Sequence, residues 1–220
     1  MPAGYHPPLE EYLEAIHELE EEGTQVIQAR LAERVGHSAP AVSETIRRLK
    51  ADGYVTVEDR SVLLTGKGRA RAESVVRKHR LAELLLTEVI GLPWHKAHLE
   101  ACRWEHVISD EVEDRLVELL GHPTTCPHGN PIPGSGAPVM RDLVALSSVP
   151  GGGQVRLQRV TEQVEIDLEA LAYLSEAGFI PGADATVTSR APDGTLTLAL
   201  GEHSFALGPL LAQQLYVTAR

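Results

Sequence analysis

The chain has no apolar run long enough to cross a bilayer and no charged-then-apolar amino terminus of the secretory kind. The cytoplasm is therefore the expected compartment, with no membrane partner. Cysteine is scarce, at two residues in 220. In a reducing compartment Cys102 reads as a ligand or a reactive thiol rather than as half of a bridge to Cys126. There is no H-E-x-x-H run and no obvious substrate domain, which counts against a metal-dependent hydrolase using Glu105 as general base. Positive charge is also short: 20 Lys and Arg stand against 31 Asp and Glu, a formal −11. Averaged over the chain, that balance argues against a nucleic-acid partner. The average conceals a basic window. Twelve of the Lys and Arg residues fall between Arg30 and Arg80, where only six acidic residues sit, a local charge of about +6.

That window carries recognisable local structure. Leu9, Leu13, Ile16 and Leu19 recur at helical spacing from Pro8 to about Glu22, and Gly23 stops the pattern. A shorter helix is expected from about Ile27 to Val35, ended by Gly36. Ser38 is placed to cap a third that turns Val42, Ile46 and Leu49 inward. Two β-like runs follow, Tyr54 to Glu58 and Ser61 to Thr65, with Asp59 and Arg60 at the tip of a hairpin. Helix, turn, helix and hairpin in this order predict a winged helix-turn-helix whose third helix enters a major groove.

Downstream, helical patterns run from Lys67 to about Ile90 and from Trp94 to Ile108, and a third is capped by Ser109 or Asp110 and ends at Gly121. Leu81, Leu84, Leu85, Val89, Leu99, Val107, Val112, Leu116 and Leu119 offer more apolar surface than three helices need internally, so a dimer interface is expected. A Pro- and Gly-rich stretch then separates a segment of different texture. Strands are predicted near 155–160, 185–188, 195–200 and 216–219, with a short helix at 167–176, and a small β-barrel is the expected closure. The expected domains are 1–73, 74–140 and 154–220, with a linker at 141–153.

The chemistry is concentrated between positions 79 and 106. Cys102, Glu105 and His106 share one helical face, and His79 and Glu83 lie four apart on the preceding helix, with His98 between the two groups. Soft and hard donors gathered in this way suit a divalent transition metal. His95, His122 and His128 read as turn residues, Trp94 and Trp104 as core or interface, and His17 and Cys126 carry no site role.

The segments "EEYLEAIHELEEEG", "RKHRLAELLL", "EACRWEHVISDEVEDRL" and "HGNPIPG" resemble the diphtheria-toxin-repressor family of metal-dependent transcription regulators. The resemblance covers most of the first 135 residues in order and is weaker beyond. It implies a mostly α architecture with α+β parts: a winged helix-turn-helix domain, a helical dimerisation domain and a small SH3-like barrel. It also implies a cytoplasmic homodimer with two metal sites per subunit that represses metal-uptake genes from a pseudo-palindromic DNA operator.

By residue match, His79, Glu83 and His98 belong to an ancillary site. Cys102, Glu105 and His106 belong to a regulatory site completed from the first helix at Glu11, with Glu14 one turn on as a further candidate. The iron-dependent branch has Met at the position of Glu11, whereas the manganese-dependent branch has a carboxylate there and another where this chain has Cys102. Cys102 can serve through its thiol or its backbone carbonyl. Hard Glu11 moves the expected corepressor towards Mn²⁺, with Fe²⁺ as the alternative. Longer members add a Glu and, three residues on, a Gln from the third domain, matched here to Asp167 and Ala170. On the DNA side the resemblance points to Ser38, Ala39, Pro40, Ala41, Ser43 and Glu44 at the start of the recognition helix. Arg48, Lys50 and Arg60 are expected on phosphates. Glu44 stands where the best-known members have Gln, and its carboxylate could accept from cytosine N4. A thiol redox sensor centred on Cys102 is a further class of reading.

Overall fold

The computed structural model describes residues 8–138 and 142–219, so the domain boundary expected at 140/141 lies outside the described residues. Three helices open the fold: α1 (Pro8–Glu21), α2 (Gln28–Val35) and α3 (Ala39–Ala51). Their apolar stripes converge as periodicity predicts, burying Leu13, Ile16, Leu31, Val42, Ile46 and Leu49 in one core with Tyr12. Gly36 ends α2 in the left-handed region at φ 65°. Ser38 occupies the N-cap position of α3, although its hydroxyl makes no capping bond there. The wing follows as an antiparallel pair, β1 (Val55–Glu58) and β2 (Ser61–Leu64). Asp59 and Arg60 both take positive φ at its two-residue tip, the geometry that matches the twist of a tight hairpin.

The next unit is built on α4 (Gly66–Leu84), which packs against α1 and against α5 (Trp94–Trp104); α6 (Asp110–Leu119) completes it. Thr65 caps α4 by accepting from Gly68 N. Rather than running on as an α-helix to Ile90, the chain widens into a π-helical turn at Leu85–Val89, two residues past Glu83. Of the apolar residues expected at an interface, Leu81, Leu84 and Leu116 are buried within the chain's own core. Val89, Leu99, Val107, Val112 and Leu119 stay exposed, with Ile90 beside them. These exposed apolar side chains are the ones that the chain's own core leaves uncovered.

The carboxy-terminal unit corrects the expected barrel. Its six antiparallel strands are β3 (Val144–Ala145), β4 (Gln154–Val160), β5 (Asp184–Arg190), β6 (Leu196–Leu200), β7 (His203–Leu207) and β8 (Leu215–Ala219). They lie in the order β3-β8-β4-β5-β6-β7. Closure into an SH3-like barrel would require the first and last of these to pair. Instead β3 pairs with β8 and β7 with β6, so the sheet is open. The reason is physical: β3 is only two residues long and cannot supply a closing ladder. The core fills instead from helices, with Leu171 and Leu174 of α8 (Leu168–Glu176) and Ala212 of α9 (Pro209–Gln213) packed on the sheet beside Phe179. Bulges at Leu157/Arg159 and Val187/Ser189 add twist. β3 itself falls within the stretch expected to be linker.

A loop at 126–133 fastens this sheet to the helical unit. Val160 N donates to His128 O at 3.0 Å, and the Asn130 side-chain amide donates to Val160 O at 3.0 Å. Gly129 is required there. Its φ is +88°, and a Cβ would fall 1.9 Å from Gln158 O. Through this docking the short helix α7 (Glu162–Glu165) faces α5.

Candidate metal centre

Helical spacing and the two dockings bring side chains from three units to one buried place. His79 and Glu83 sit one turn apart on α4, with His79 Nε2 3.2 Å from Glu83 Oε1. His98, on α5, places Nδ1 3.1 Å from His79 Nε2 and Nε2 3.5 Å from Cys102 Sγ. At the end of α5, Glu105 spans two imidazoles, 2.5 Å from His79 Nδ1 through Oε2 and 3.0 Å from His106 Nε2 through Oε1. From α1, Glu10 Oε2 reaches His106 Nδ1 at 2.8 Å, and its other oxygen pairs with Arg71.

Four groups of donor atoms lie mutually within 4.8 Å: His79–His98–Cys102, His79–Glu83–His98–Glu165, Glu83–Cys126–His128 and Glu14–His79–Glu105. They overlap at His79, Glu83 and His98, so the cluster is continuous. Glu14 joins it directly. Glu11 is not in these groups; it lines a cavity of about 120 Å³ with Glu14, Glu18, His79, Cys102 and Glu162.

Four residues that the sequence left without a role, or with a turn role, stand in or against the cluster. His128 is fully buried, with Nδ1 3.0 Å from Glu83 Oε1 and 3.1 Å from Glu165 Oε2. Cys126 is buried beside it. Glu165 also lies 3.3 Å from His98 Nδ1, and Glu162, one turn earlier, lies 3.1 Å from His98 Nε2. Asp167 is placed elsewhere: its Oδ1 accepts from the backbone N–H of Glu169 and Ala170 and caps α8. The third-domain carboxylates facing His98 are therefore Glu162 and Glu165. In the sequence Glu162 and Glu165 stand only as carboxylates three apart ahead of the helix expected at 167–176, and Cys126 and His128 as two donors in a Pro/Gly stretch. Neither declares its partners without the docking of β4.

In this cluster acids and imidazoles set one another's protonation against the cost of burial. Burial opposes charge on His79, yet Glu83, Cys102 and Glu105 hold the imidazole well above its usual pKa. Burial likewise opposes charge on His98 and His128; Glu162 and Cys102 raise the first, and Glu165 and Glu83 raise the second. The converse holds for the acids. Despite burial, His128 and His79 hold Glu83 well below the carboxylate range, and His106 and His79 bring Glu105 to about 2. Burial would raise Cys102, but His98 and His79 draw its thiol down. Cys126 goes the other way, pushed up to about 12 by burial and by Glu83. Glu14 is shifted the other way: burial, Glu105 and Glu18 push its pKa well above the usual range, with His79 opposing them, and burial raises Glu18 and Glu162 in the same direction.

The donors fit a divalent cation on two counts. Glu83 Oε2 and His128 Nε2 are buried without a hydrogen-bond partner among the described residues, which is costly unless something else satisfies them. The set also mixes imidazole, carboxylate and thiol, the donors of first-row transition metals.

The helix-turn-helix presents a second surface. Ser38, Ala39, Pro40, Ala41, Ser43, Glu44, Arg48 and Lys50 are all exposed along α3 and its approach, as is Arg60 at the wing tip. Glu44 is engaged with Arg47 on the same helix.

Comparison with known proteins assigns these units. Residues 6–63 match the iron dependent repressor N-terminal DNA binding domain, 65–134 the iron dependent repressor metal binding and dimerisation domain, and 144–219 the FeoA domain. The iron-dependent repressor IdeR of Mycobacterium tuberculosis is 47% identical over 205 residues, covering 88% of this chain and 89% of that protein. The chain belongs to the iron-dependent repressor family. The diphtheria toxin repressor of Corynebacterium diphtheriae is 44% identical over 201 residues, covering 86% of this chain and 87% of its own length. Among solved structures, a manganese-dependent transcriptional repressor in complex with manganese superposes with a TM-score of 0.86 at 31% identity, over 96% of this chain and 100% of that one. As a member of this repressor family the chain is a metal-dependent, homodimeric DNA-binding regulator and not an enzyme. No helix among the described residues is long and apolar enough to cross a membrane.

Proposed function

We propose that this repressor is switched on by a divalent metal, Mn²⁺ ahead of Fe²⁺, held where α1 of the DNA-binding unit meets α4 and α5, and that it silences metal-uptake genes in the cytoplasm. The observation that carries the reading is the approach of Glu14, on α1, to His79 and Glu105 of the dimerisation unit. Glu11, Glu14, Cys102, Glu105 and His106 are assigned to the regulatory site, with His79 at its inner wall. Glu83, His98 and His128, together with Glu165 in place of Asp167, are assigned to an ancillary site beside it.

The metal supplies positive charge that protons otherwise provide. The residues do the rest. Glu14 and Glu105 repel each other when both are ionised, which opposes closure of α1 on α5. Glu105, already ionised, is held in place by His79 and His106 and presents a fixed anionic wall. A ligand that binds the closed arrangement better than the open one shifts the population towards it, and α1 carries the helix-turn-helix with it. In the dimer, two recognition helices would then meet successive major grooves about 34 Å apart on a pseudo-palindromic operator. The exposed start of α3 would read bases, while Arg48, Lys50 and Arg60 would meet phosphates.

Carboxylates at positions 11, 14 and 105 favour the harder ion. The 47% identity to a protein named for iron supports Fe²⁺ as the second reading, and so does the Cys102 thiol. Operator binding titrated with each metal under anaerobic conditions tests both. Half-saturation at lower free Mn²⁺ than free Fe²⁺ is expected, and the reverse order would replace manganese by iron.

A further inference from the structure

Tyr12 follows Glu11 on α1, yet its side chain turns away from the metal centre into the helix-turn-helix core, where it is 1% exposed. A phenol buried this deeply needs partners for its hydroxyl. It has them on the DNA side of the domain. The hydroxyl lies 2.9 Å from Nδ1 of His37, with ring centroids 5.7 Å apart; burial raises the phenol's pKa, and Thr45 of α3 acts against that rise. His37 sits in the turn between α2 and α3, immediately before the N-cap position of the recognition helix. Its backbone N–H donates to Ala32 O at 3.2 Å, which fixes the turn. Unlike Tyr12, His37 is exposed.

The proton arrangement follows from the donors available. The phenol is the donor when its proton goes to His37 Nδ1, the hydrogen-bond partner 2.9 Å away. In a neutral imidazole the remaining proton is then on Nε2. With Nδ1 turned inward, the outward edge of the ring is a hydrogen-bond donor at the amino-terminal end of the recognition helix, where this kind of domain meets DNA.

We propose that His37 donates through Nε2 to a DNA phosphate, and that Tyr12 is a positioning residue that aims it. The helix that carries Glu11 and Glu14 would then orient a DNA contact directly, besides carrying the domain as a body. This inference rests on the metal-dependent operator binding argued above. A phosphate contact fixes register without reading sequence, so its loss should weaken unrelated operator sequences alike.

The test is a double-mutant cycle on full-length, Mn²⁺-saturated protein, with operator binding read by fluorescence anisotropy. Tyr12→Phe and His37→Ala should each weaken binding roughly three- to tenfold, the worth of one hydrogen bond. The double variant should lose no more than the worse single one. His37→Gln, which offers an acceptor inward and an N–H outward, should restore most of the affinity. Mn²⁺ titration and thermal melting of Tyr12→Phe should match the parent. Additive losses, or a Tyr12→Phe protein that melts early or loses Mn²⁺, would overturn the strut while leaving the regulator reading intact. A parent protein without metal-dependent operator binding would overturn both.

Discussion

Nδ1 of His106, two residues past α5, lies 2.8 Å from Oε2 of Glu10 on the first helix, 96 positions earlier in the chain. The contact joins the DNA-binding unit to the dimerisation unit through an imidazole whose other nitrogen is 3.0 Å from Glu105. One ring therefore bridges the two carboxylate-bearing helices. Around it, acids and imidazoles hold one another in their charged forms, and metal binding must compete with that arrangement.

Glu14 should behave as a residue that trades stability for sensing. Its folded pKa is raised, so ionising it destabilises the metal-free protein progressively as pH climbs from the unfolded carboxylate value of about 4.3 towards the folded one. Glu14→Gln should therefore raise the metal-free melting temperature at pH 7 and weaken Mn²⁺ binding at least about tenfold, one pKa unit's worth of free energy. Calorimetric melting and metal titration check both signs. A variant that melts lower and binds as before would remove Glu14 from the site.

Metal affinity should rise with pH. His79, His98 and His128 have pKa values well above the ordinary imidazole value, so at pH 7 a cation must displace their protons. Mn²⁺ titrations in buffers of different ionisation enthalpy should show proton release, and apparent affinity should increase between pH 6 and 8. A pH-independent affinity would mean that these imidazoles are not ligands.

Glu165 and Asp167 should separate cleanly. Glu165→Ala removes a carboxylate within reach of His98 and His128 and should lower occupancy of the ancillary site, seen as one fewer tightly bound metal per subunit. Asp167→Ala removes an N-cap and should cost about 1 kcal/mol of stability without changing metal content. The opposite pattern would restore Asp167 as the donor.

Glu21 should give an acid limb to stability. Arg80, which is 4% exposed, grips both of its oxygens, and His17 Nε2 stands 3.3 Å away. Although burial opposes it, this pairing lowers the carboxyl to about 2. Its contribution is fully present above the unfolded pKa of about 4.3 and is lost as pH falls towards 2. Arg80→Met should cost on the order of 3 kcal/mol, because the part-buried carboxylate loses its buried counter-charge. Urea unfolding at pH 7 and pH 3 should show that deficit at the higher pH and a smaller one at the lower.

Local order was legible where a single periodicity carries it. The spacing of Leu13, Ile16 and Leu19 in α1 and of Val42, Ile46 and Leu49 in α3, with Gly36 and the Asp59–Arg60 tip as punctuation, states the helix-turn-helix and wing outright, because these signals are encoded within a few residues of one another. The donor spacings 79/83 and 102/105/106 were legible for the same reason. Alternation along strands shows which face is buried but not whether edges meet, so the open sheet was not legible. His128 could not be read as buried from a Pro/Gly loop, since its burial depends on β4 docking across Gly129.

The amino-acid sequence by itself determined the elements and the kinds of donor atom, because both depend on short-range covalent spacing. Tertiary structure alone decided which donor atoms come together. It set Glu14 beside His79 and Glu105, turned Asp167 into a helix cap, and drew Glu165 and His128 onto Glu83 and His98. Those choices depend on how α1, the 126–133 loop and α7 dock, and docking is settled by packing between segments far apart in the chain.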